Sequence, residues 1–165
     1  MNLLEYKTFK NDIEKYLKKS MDTFQLRLNI HFNEAENESV DYYLYYENEH
    51  CIISLNFIES FPYQDVIPQF YLKNSDEYLK IDQIYLRPFL CIDEKDFKAY
   101  CLENYNNRYL YSDDFKDNDK GGIYYGLYSI NEILLKYYYD LFKGKYSIED
   151  YKNFLQSQFN FPSAS

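Results

Sequence analysis

Two cysteines have neighbours that could activate a thiol. His50 precedes Cys51, so a base adjoins a nucleophile in the sequence. Adjacent residues of a strand point to opposite faces, which disfavours the hydrogen bond that activation needs. Cys91 comes just before a predicted helix start at Asp93, but the acidic side chains that follow oppose formation of a thiolate there. We therefore interpret Cys51, Cys91 and Cys101 as reduced residues of the core.

A second candidate for chemistry is a set of two carboxylates and a lysine. Asp82 is followed by Asp93 and Lys95, which form an Asp-x-Lys arrangement near the ends of two predicted strands. Metal-dependent nucleases use acids to hold magnesium and a lysine to orient water. The pattern is short, and an acidic surface opposes the approach of DNA. A metal-dependent hydrolase therefore remains as an alternative hypothesis.

A third candidate is the acidic run between residues 113 and 122. It offers carboxylate ligands and two glycines, which is chemistry that calcium prefers. The spacing does not fit an EF-hand, because a loop opened by Asp117 would place the bidentate glutamate position at Tyr128. We predict a solvated polar loop here.

Other signatures of catalysis are missing from the sequence. The chain has two histidines, no glycine-rich phosphate loop and no serine in a nucleophile-elbow context. We therefore expect no cofactor and no resident metal, and favour a protein without enzymatic activity.

The most informative feature is a long segment with charges of one sign. Between Leu28 and Leu72 there are eight carboxylates and no lysine or arginine, and the whole chain has a net charge of −9. Such a surface repels phosphate backbones and attracts basic proteins. This argues against a nucleic-acid partner and for a basic protein partner.

Tyrosines are interleaved with these carboxylates. The chain has 22 tyrosines, and rigid aromatic side chains supply much of the affinity at protein interfaces. An AT-rich genome would also raise the tyrosine content, so composition alone does not establish selection. The residues that we predict to contact the partner are Glu34, Glu36, Glu38, Asp41, Tyr43, Tyr45, Glu47 and Glu49.

These observations favour an acidic, non-enzymatic binding domain that neutralises a basic effector. Small acidic domains of this kind look like immunity proteins and antitoxins, or like phage inhibitors that imitate nucleic acid. An adaptor subunit of a larger assembly is the other alternative. The sequence does not separate a neutralising inhibitor from an adaptor.

The first predicted elements are a helix and a strand. Apolar residues recur every three or four positions over residues 3 to 20, which predicts an amphipathic helix. From Phe24 to Phe32 apolar and polar residues alternate, which predicts a half-buried strand.

Further strands and turns follow. The pattern predicts strands at 40–46, 51–58, 69–73 and 78–86, with an optional sixth at 89–92. Polar turns at 47–50 and 74–77 separate neighbouring strands.

The second half of the chain is predicted to be helical. Asp93 is placed to cap a helix that ends near Asn106. Ser129 and Glu132 form a capping-box pattern for a second helix, with Gly144 as its left-handed stop. A last helix is predicted to begin at Ser147.

Together these elements predict an α+β domain with an N-terminal helix, an antiparallel sheet of five to six strands and two to three C-terminal helices. We expect one domain over residues 1–160 and a short disordered tail at 161–165. The charged amphipathic start and the absence of a long apolar run predict a cytoplasmic protein that does not enter the membrane.

The segment from Phe57 to Phe70 leads from a strand through Phe61-Pro62 to Pro68 and another strand. In outline it resembles the ubiquitin-conjugating and RWD-type α+β folds, which also begin with a helix before a four-stranded meander. The proline spacing differs, and no cysteine follows the meander in the expected context. The resemblance covers about a third of the chain and implies architecture only.

Overall fold

The computed structural model describes residues 3–29, 42–58, 65–116 and 121–159. The first half forms α1 (Leu3–Phe24), β1 (Arg27–Asn29), β2 (Tyr42–Glu47), β3 (Cys51–Ile58), β4 (Asp65–Lys73) and β5 (Tyr78–Ile81). The second half forms α2 (Gln83–Phe89), α3 (Glu94–Asn106), α4 (Arg108–Tyr111), a 3₁₀ helix (Asp113–Lys116), α5 (Gly121–Lys136), α6 (Tyr139–Phe142) and α7 (Ile148–Phe159).

The five strands form an antiparallel meander in the order β1-β2-β3-β4-β5. In the register of the central strands, Leu55 of β3 lies opposite Leu44 of β2 and Pro68 of β4. Each strand is thus paired with its neighbour in sequence. The predicted α+β class is confirmed, although the helical half contains more and shorter helices than expected.

One face of the sheet, the inner face, packs against the helices. Its side chains on β3 are Ile53, Leu55 and Phe57, and each is at most 1% exposed. They join one hydrophobic core that includes residues of α1, α5, α6 and α7. Removal of this apolar surface from water is the main favourable contribution to folding.

A buried polar pair joins α1 to α5. The Ser20 hydroxyl donates to Oδ1 of Asn131 at 2.7 Å, and the same oxygen accepts the Ser20 backbone N–H at 3.1 Å. Both residues are buried. Because their polar groups are matched to each other, the pair fixes the register of the two helices without leaving these atoms unsatisfied.

The hairpin between β2 and β3 is tied to the helices by Asn48. Its amide nitrogen donates to the backbone oxygens of Phe24 and Phe142 at 3.0 and 2.9 Å, and its Oδ1 accepts two backbone N–H groups of the turn.

Gly144 has the predicted left-handed backbone, with φ of +84°. A side chain there would also meet the ring of His50.

The predicted strand at 24–32 is wrong at its beginning. Helix α1 continues to Phe24, and β1 covers only Arg27–Asn29. The physical reason is that Ile13, Leu17 and Phe24 keep helical spacing and are all buried. Gln25, with φ of 55°, then ends the helix. Residues 30–32 lie outside the described part of the chain.

The predicted strand at 78–86 and the optional strand at 89–92 also need correction. Strand β5 ends at Ile81, and Asp82 caps α2 by accepting the Ile84 N–H at 3.0 Å. The Asp82 N–H in turn donates to the hydroxyl of the buried Tyr151 at 3.0 Å. These two bonds turn the chain at Asp82, and the segment 89–92 forms the end of α2 and the turn after it.

Of two further helix starts predicted from the sequence, one is wrong and one is confirmed. Ser129 and Glu132 lie inside α5, which begins at Gly121, so the predicted capping box there is wrong. At the last helix the Asp150 N–H donates to Ser147 Oγ at 3.1 Å, and the Ser147 N–H donates to Asp150 Oδ2 at 2.8 Å. This reciprocal pair confirms the predicted start at Ser147.

Several other predicted boundaries are confirmed. β3 has the predicted bounds, Asp93 caps α3 by accepting the Asp96 N–H at 2.8 Å, and α3 ends at Asn106 as expected. The predicted tail at 161–165 lies outside the described residues. In the part of the chain that the structure describes, no helix combines the length and apolar character of a membrane span.

Candidate functional site

The other face of the sheet, the outer face, carries the candidate site. Alternation along the paired strands places on it the side chains that do not enter the helix-packed core. They include Asn29, Tyr43, Tyr45, Glu47, Ile52, Tyr71, Lys73 and Tyr78. The outer face therefore combines aromatic and charged groups.

A cavity of about 590 Å³ opens on this face. We call it the tyrosine cavity. Its floor is formed by strands β1 to β5, and the turn between β4 and β5 forms one side. Its lining residues are Asn29, Tyr45, Glu47, Ile52, Tyr71, Lys73, Asn74, Ser75, Asp76, Glu77 and Tyr78.

Tyrosine rings form the walls of the cavity. The rings of Tyr71 and Tyr78 lie edge to face, with centroids 6.2 Å apart and planes at 70°. Burial raises the pKa of Tyr71, and the neighbouring hydroxyls of Tyr45, Tyr78 and Tyr43 raise it further. Four phenols thus meet in one region of the outer face.

Two ionised side chains on the floor neutralise each other. Lys73 Nζ lies 3.0 Å from Glu47 Oε2, and the other oxygen of Glu47 accepts from Asn29 Nδ2 at 3.2 Å. Both charged side chains are less than a third exposed. Partial burial makes this pair stronger than a typical surface ion pair.

The side of the cavity is a tight polar turn. Asn74 Oδ1 accepts the backbone N–H groups of Asp76 and Glu77, each at 2.8 Å. This turn leaves both acidic residues exposed. Glu77 makes a long contact of 3.5 Å with Lys152, whereas Asp76 has no ion pair with any of the described residues. The side of the cavity is consequently negative.

The structure brings together three of the eight predicted contact residues. Tyr43, Tyr45 and Glu47 alternate along β2 and share the outer face, and Glu49 is exposed in the turn that follows. The other four, Glu34, Glu36, Glu38 and Asp41, lie outside the described residues. Their part in the predicted surface stays a prediction.

Four further residues of the tyrosine cavity were not predicted from the sequence. Ile52, Tyr71, Lys73 and Tyr78 lie on β3, β4 and β5 and complete the cavity. Alternation along β4 could have placed Tyr71 and Lys73 on one face. The register puts Ile52 between Glu47 of β2 and Tyr71 of β4, and it puts Lys73 opposite Tyr78. Only this register shows that these residues adjoin Tyr45.

The residues of the hydrolase hypothesis have structural partners. Asp82 and Asp93 each accept a backbone N–H as a helix cap, and Lys95 is exposed. Among the described residues, no group of three histidine, cysteine or acidic side chains is placed to hold a metal ion. The hypothesis stays untested, and a rise in Tm with millimolar magnesium would support it.

The acidic run at 113–122 is partly a 3₁₀ helix. Asp113 pairs with Lys116 at 2.8 Å, and Asp114 pairs with Lys15 at 3.2 Å and accepts the hydroxyl of Tyr16. The hydrogen bond from Tyr16, followed by that from Lys15, lowers the pKa of Asp114. Residues 117–120 lie outside the described part of the chain.

The cysteines differ from one another. Cys51 is buried, its thiol donates to the Leu141 oxygen at 3.1 Å, and burial raises its pKa to about 12. Cys101 is half-buried. Cys91 is exposed and has φ of 57°, so the prediction of a core residue is wrong there. It follows the end of α2, where the chain turns at the protein surface.

A second aromatic surface lies on α3 and α4. No residue of α3 is buried, and Leu102, Tyr105, Tyr109 and Leu110 are all exposed. The guanidinium of Arg108 lies over the rings of Tyr105 and Tyr109, at 4.0 and 4.2 Å from their centroids. In contrast to the residues of a cavity, these side chains protrude into the solvent.

No protein-family model matches the chain, and no curated protein or solved structure shows significant similarity to it.

Proposed function

We propose that this protein is a non-enzymatic binding domain whose outer sheet face binds a basic protein. The observation that supports this most directly is the tyrosine cavity, because rigid aromatic walls beside carboxylates suit an interface. The net charge of −9 favours a basic partner and would speed the association.

The same features favour a protein over a nucleic acid as the partner. Binding to phosphate backbones relies on clustered lysine and arginine side chains. Among the described residues that line the cavity, the cation is Lys73, and it is paired with Glu47. The predicted contact residues Glu34, Glu36, Glu38 and Asp41, which precede β2 in the sequence, would add further negative charge.

Within this class we favour a neutralising inhibitor, similar in role to immunity proteins and antitoxins or to phage inhibitors that imitate nucleic acid. Its acidic surface would cover the basic site of an effector. An adaptor subunit would use the same surface with a permanent partner. We also propose a cytoplasmic location, which is supported by the free thiols of Cys51, Cys91 and Cys101.

The proposal is tested by affinity capture from the native host with three forms of the tagged protein. These are the wild type, the outer-face variant Tyr45→Ala with Tyr78→Ala, and the control Tyr105→Ala. Tyr105 is a half-exposed tyrosine of α3, so the control removes a similar ring from another surface. Bound proteins are identified by mass spectrometry after washes at low salt and at about 0.5 M salt.

We expect the wild type and the control to retain one basic protein in stoichiometric amount. The outer-face variant should lose it, and high salt should loosen it because screening weakens charge attraction. Equal capture by all three forms would contradict the assignment to the outer face. Absence of any stoichiometric partner would contradict the proposed function. If the purified protein still carries the partner although none has been added, the adaptor subunit is favoured over the neutralising inhibitor.

Charge reversal tests the acidic part of the surface. Glu34→Lys with Glu36→Lys should slow association with the captured partner and flatten its salt dependence, since fewer charges steer the encounter. Stopped-flow association rates at several salt concentrations provide the measurement. An unchanged rate would show that these carboxylates are not part of the interface.

A further inference from the structure

We propose that the tyrosine cavity takes an arginine side chain, with the guanidinium between the tyrosine rings and the acidic turn. This inference rests on the proposed function, because the arginine would belong to the basic partner. It goes further by naming the group that enters the cavity and the residues that hold it.

The arrangement of the tyrosine rings favours a cation as the occupant. Tyr71 and Tyr78 stand at 70° to each other, so they form two adjacent walls rather than a flat stack. Tyr45 lines the same cavity. A cation near aromatic faces is attracted by their negative quadrupole, and several rings around one cation form an aromatic cage.

The charged residues of the cavity also favour a cation. Among the described residues that line the cavity, Glu47 is neutralised by Lys73, and the other charged groups are Asp76 and Glu77 at the side. Glu77 is only loosely engaged by Lys152, at 3.5 Å in an exposed contact. Two carboxylates and a set of aromatic faces together select a cation over an anion or a neutral group.

This chain already makes the proposed type of contact elsewhere. Arg108 lies over the rings of Tyr105 and Tyr109, and it donates to the hydroxyl of Tyr109 at 2.7 Å. The guanidinium of Arg87 likewise lies 4.6 Å from the centroid of the Phe97 ring while bonding Glu94 at 2.7 Å. The second case combines a ring face with a carboxylate, as proposed for the cavity.

Arginine fits this combination better than lysine. Its guanidinium is planar, stacks on aromatic faces and presents a fork of donors to a carboxylate. A lysine ammonium is a strongly hydrated point charge and loses more hydration on entering the cavity. The volume of about 590 Å³ leaves room for the side chain and part of the backbone that carries it.

The test uses short blocked peptides as probes, so that it does not depend on the partner. The probes are acetyl-Gly-Arg-Gly-amide, the same peptide with citrulline or lysine in place of arginine, and choline. Citrulline keeps the shape of arginine and removes its charge. Binding is followed by NMR through the δ1 methyl group of Ile52, which lines the cavity and is assigned by Ile52→Val.

We expect the arginine peptide to shift the Ile52 signal in a saturable manner and to bind at least about threefold more tightly than the lysine peptide. The citrulline peptide should leave the signal unchanged. An equal response to citrulline would overturn the proposal, because the charge would then contribute nothing. Tighter binding of choline than of arginine would overturn it in favour of a quaternary ammonium ligand.

Two variants move the affinity in opposite directions. Tyr78→Leu should weaken the arginine peptide by about threefold to tenfold, because it removes one ring. Lys73→Met should strengthen binding, because it frees Glu47 and removes a repelling charge from the floor. A purely structural role of Lys73 would weaken binding instead and would contradict the proposal. Tyr105→Leu serves as the control and should leave the affinity unchanged.

The outcomes separate this proposal from the proposed function. If the probes fail to bind but capture of a basic protein still depends on Tyr45 and Tyr78, the arginine assignment is wrong and the binding function stands. If the arginine peptide binds and no partner is captured, the cavity is a cation site and the proposed function is wrong.

Discussion

The inner and outer faces of the sheet are built from the same strands, yet they use the same residue types differently. On β2, Tyr46 points to the inner face and has no exposed surface, whereas its neighbour Tyr45 lines the tyrosine cavity. On β3, Ile53 is buried against the helices and Ile52 is half-buried in the cavity. One position along a strand therefore decides whether a side chain stabilises the core or forms the candidate site.

The comparison shows how this protein can carry many tyrosines in one domain. Rings on the inner side pack in the core, as between Phe70 and Tyr138, whose centroids are 5.1 Å apart. Rings on the outer face keep part of their surface accessible. We expect substitutions on the inner face to change stability and those on the outer face to change binding.

The largest effect is expected at the centre of the inner face. Leu55 has no exposed surface, so Leu55→Ala should lower the free energy of unfolding by about 2–5 kcal/mol through lost burial and a residual cavity. Ile52→Ala, on the outer face of the same strand, should cost about 1 kcal/mol. Urea unfolding followed by circular dichroism compares the two. Equal losses would contradict the distinction between the faces.

Alkaline pH should destabilise the folded protein through Cys51, which lies on the inner face of β3. Burial raises the pKa of its thiol from 9.0 to about 12, so the folded state keeps a proton that the unfolded state loses. The contribution of the protonated thiol to the free energy of unfolding is therefore fully present below about pH 9. It is lost as the pH rises towards 12, and each unit of difference between the two pKa values corresponds to about 1.4 kcal/mol.

The measurement for this prediction is the pH dependence of urea unfolding in the wild type and in Cys51→Ala. The variant loses packing at every pH, but its stability should fall less steeply between pH 9 and 12. Tyrosines with raised pKa values, such as Tyr128 and Tyr137, each at about 12, contribute a loss common to both proteins. Identical slopes would show that the Cys51 thiol does not remain protonated in the folded state.

A smaller effect is expected from the buried pair between α1 and α5. Asn131→Ala leaves the Ser20 hydroxyl without its side-chain acceptor and should cost about 1–3 kcal/mol. Adding Ser20→Ala should cost less than it does in the wild type, because the hydroxyl has already lost this partner. A double-mutant cycle of unfolding free energies measures this coupling. Fully additive losses would mean that the two side chains do not act as a pair.

The smallest change in stability is expected on the outer face. Tyr78 is 70% exposed, so Tyr78→Ser should alter the free energy of unfolding by no more than about 0.5 kcal/mol. The same substitution should abolish or strongly weaken binding of the basic partner. Thermal unfolding and a binding titration on one preparation test both statements. A large loss of stability would place Tyr78 among the structural residues.

Sequence periodicity predicted the parts of the fold where one pattern dominates. Strand β3 contains three isoleucines and Phe57, and its bounds were predicted correctly. Asp93 followed by Glu94 and Asp96 marks a helix start unambiguously, and α3 begins there. Local chemistry was sufficient in both places.

Periodicity misled the prediction where two patterns overlap. Phe24 and Leu26 fit an alternating strand, but Phe24 also continues the helical spacing of Leu17 and is buried with it. Leu79 and Ile81 begin an alternation that the Asp82 cap and its bond from Tyr151 bring to an end. In each case contacts with distant residues selected one of two locally acceptable structures.

The sequence by itself determined the fold class, the negative charge and the placement of Tyr43, Tyr45 and Glu47 on one face, because these depend on composition and on a period of two along one strand. Only the tertiary structure decided that Tyr71, Lys73 and Tyr78 adjoin Tyr45 and Glu47 in one cavity. That proximity depends on the pairing register across four strands, β2 to β5, and register is set by packing of the inner face rather than by the residues of the site.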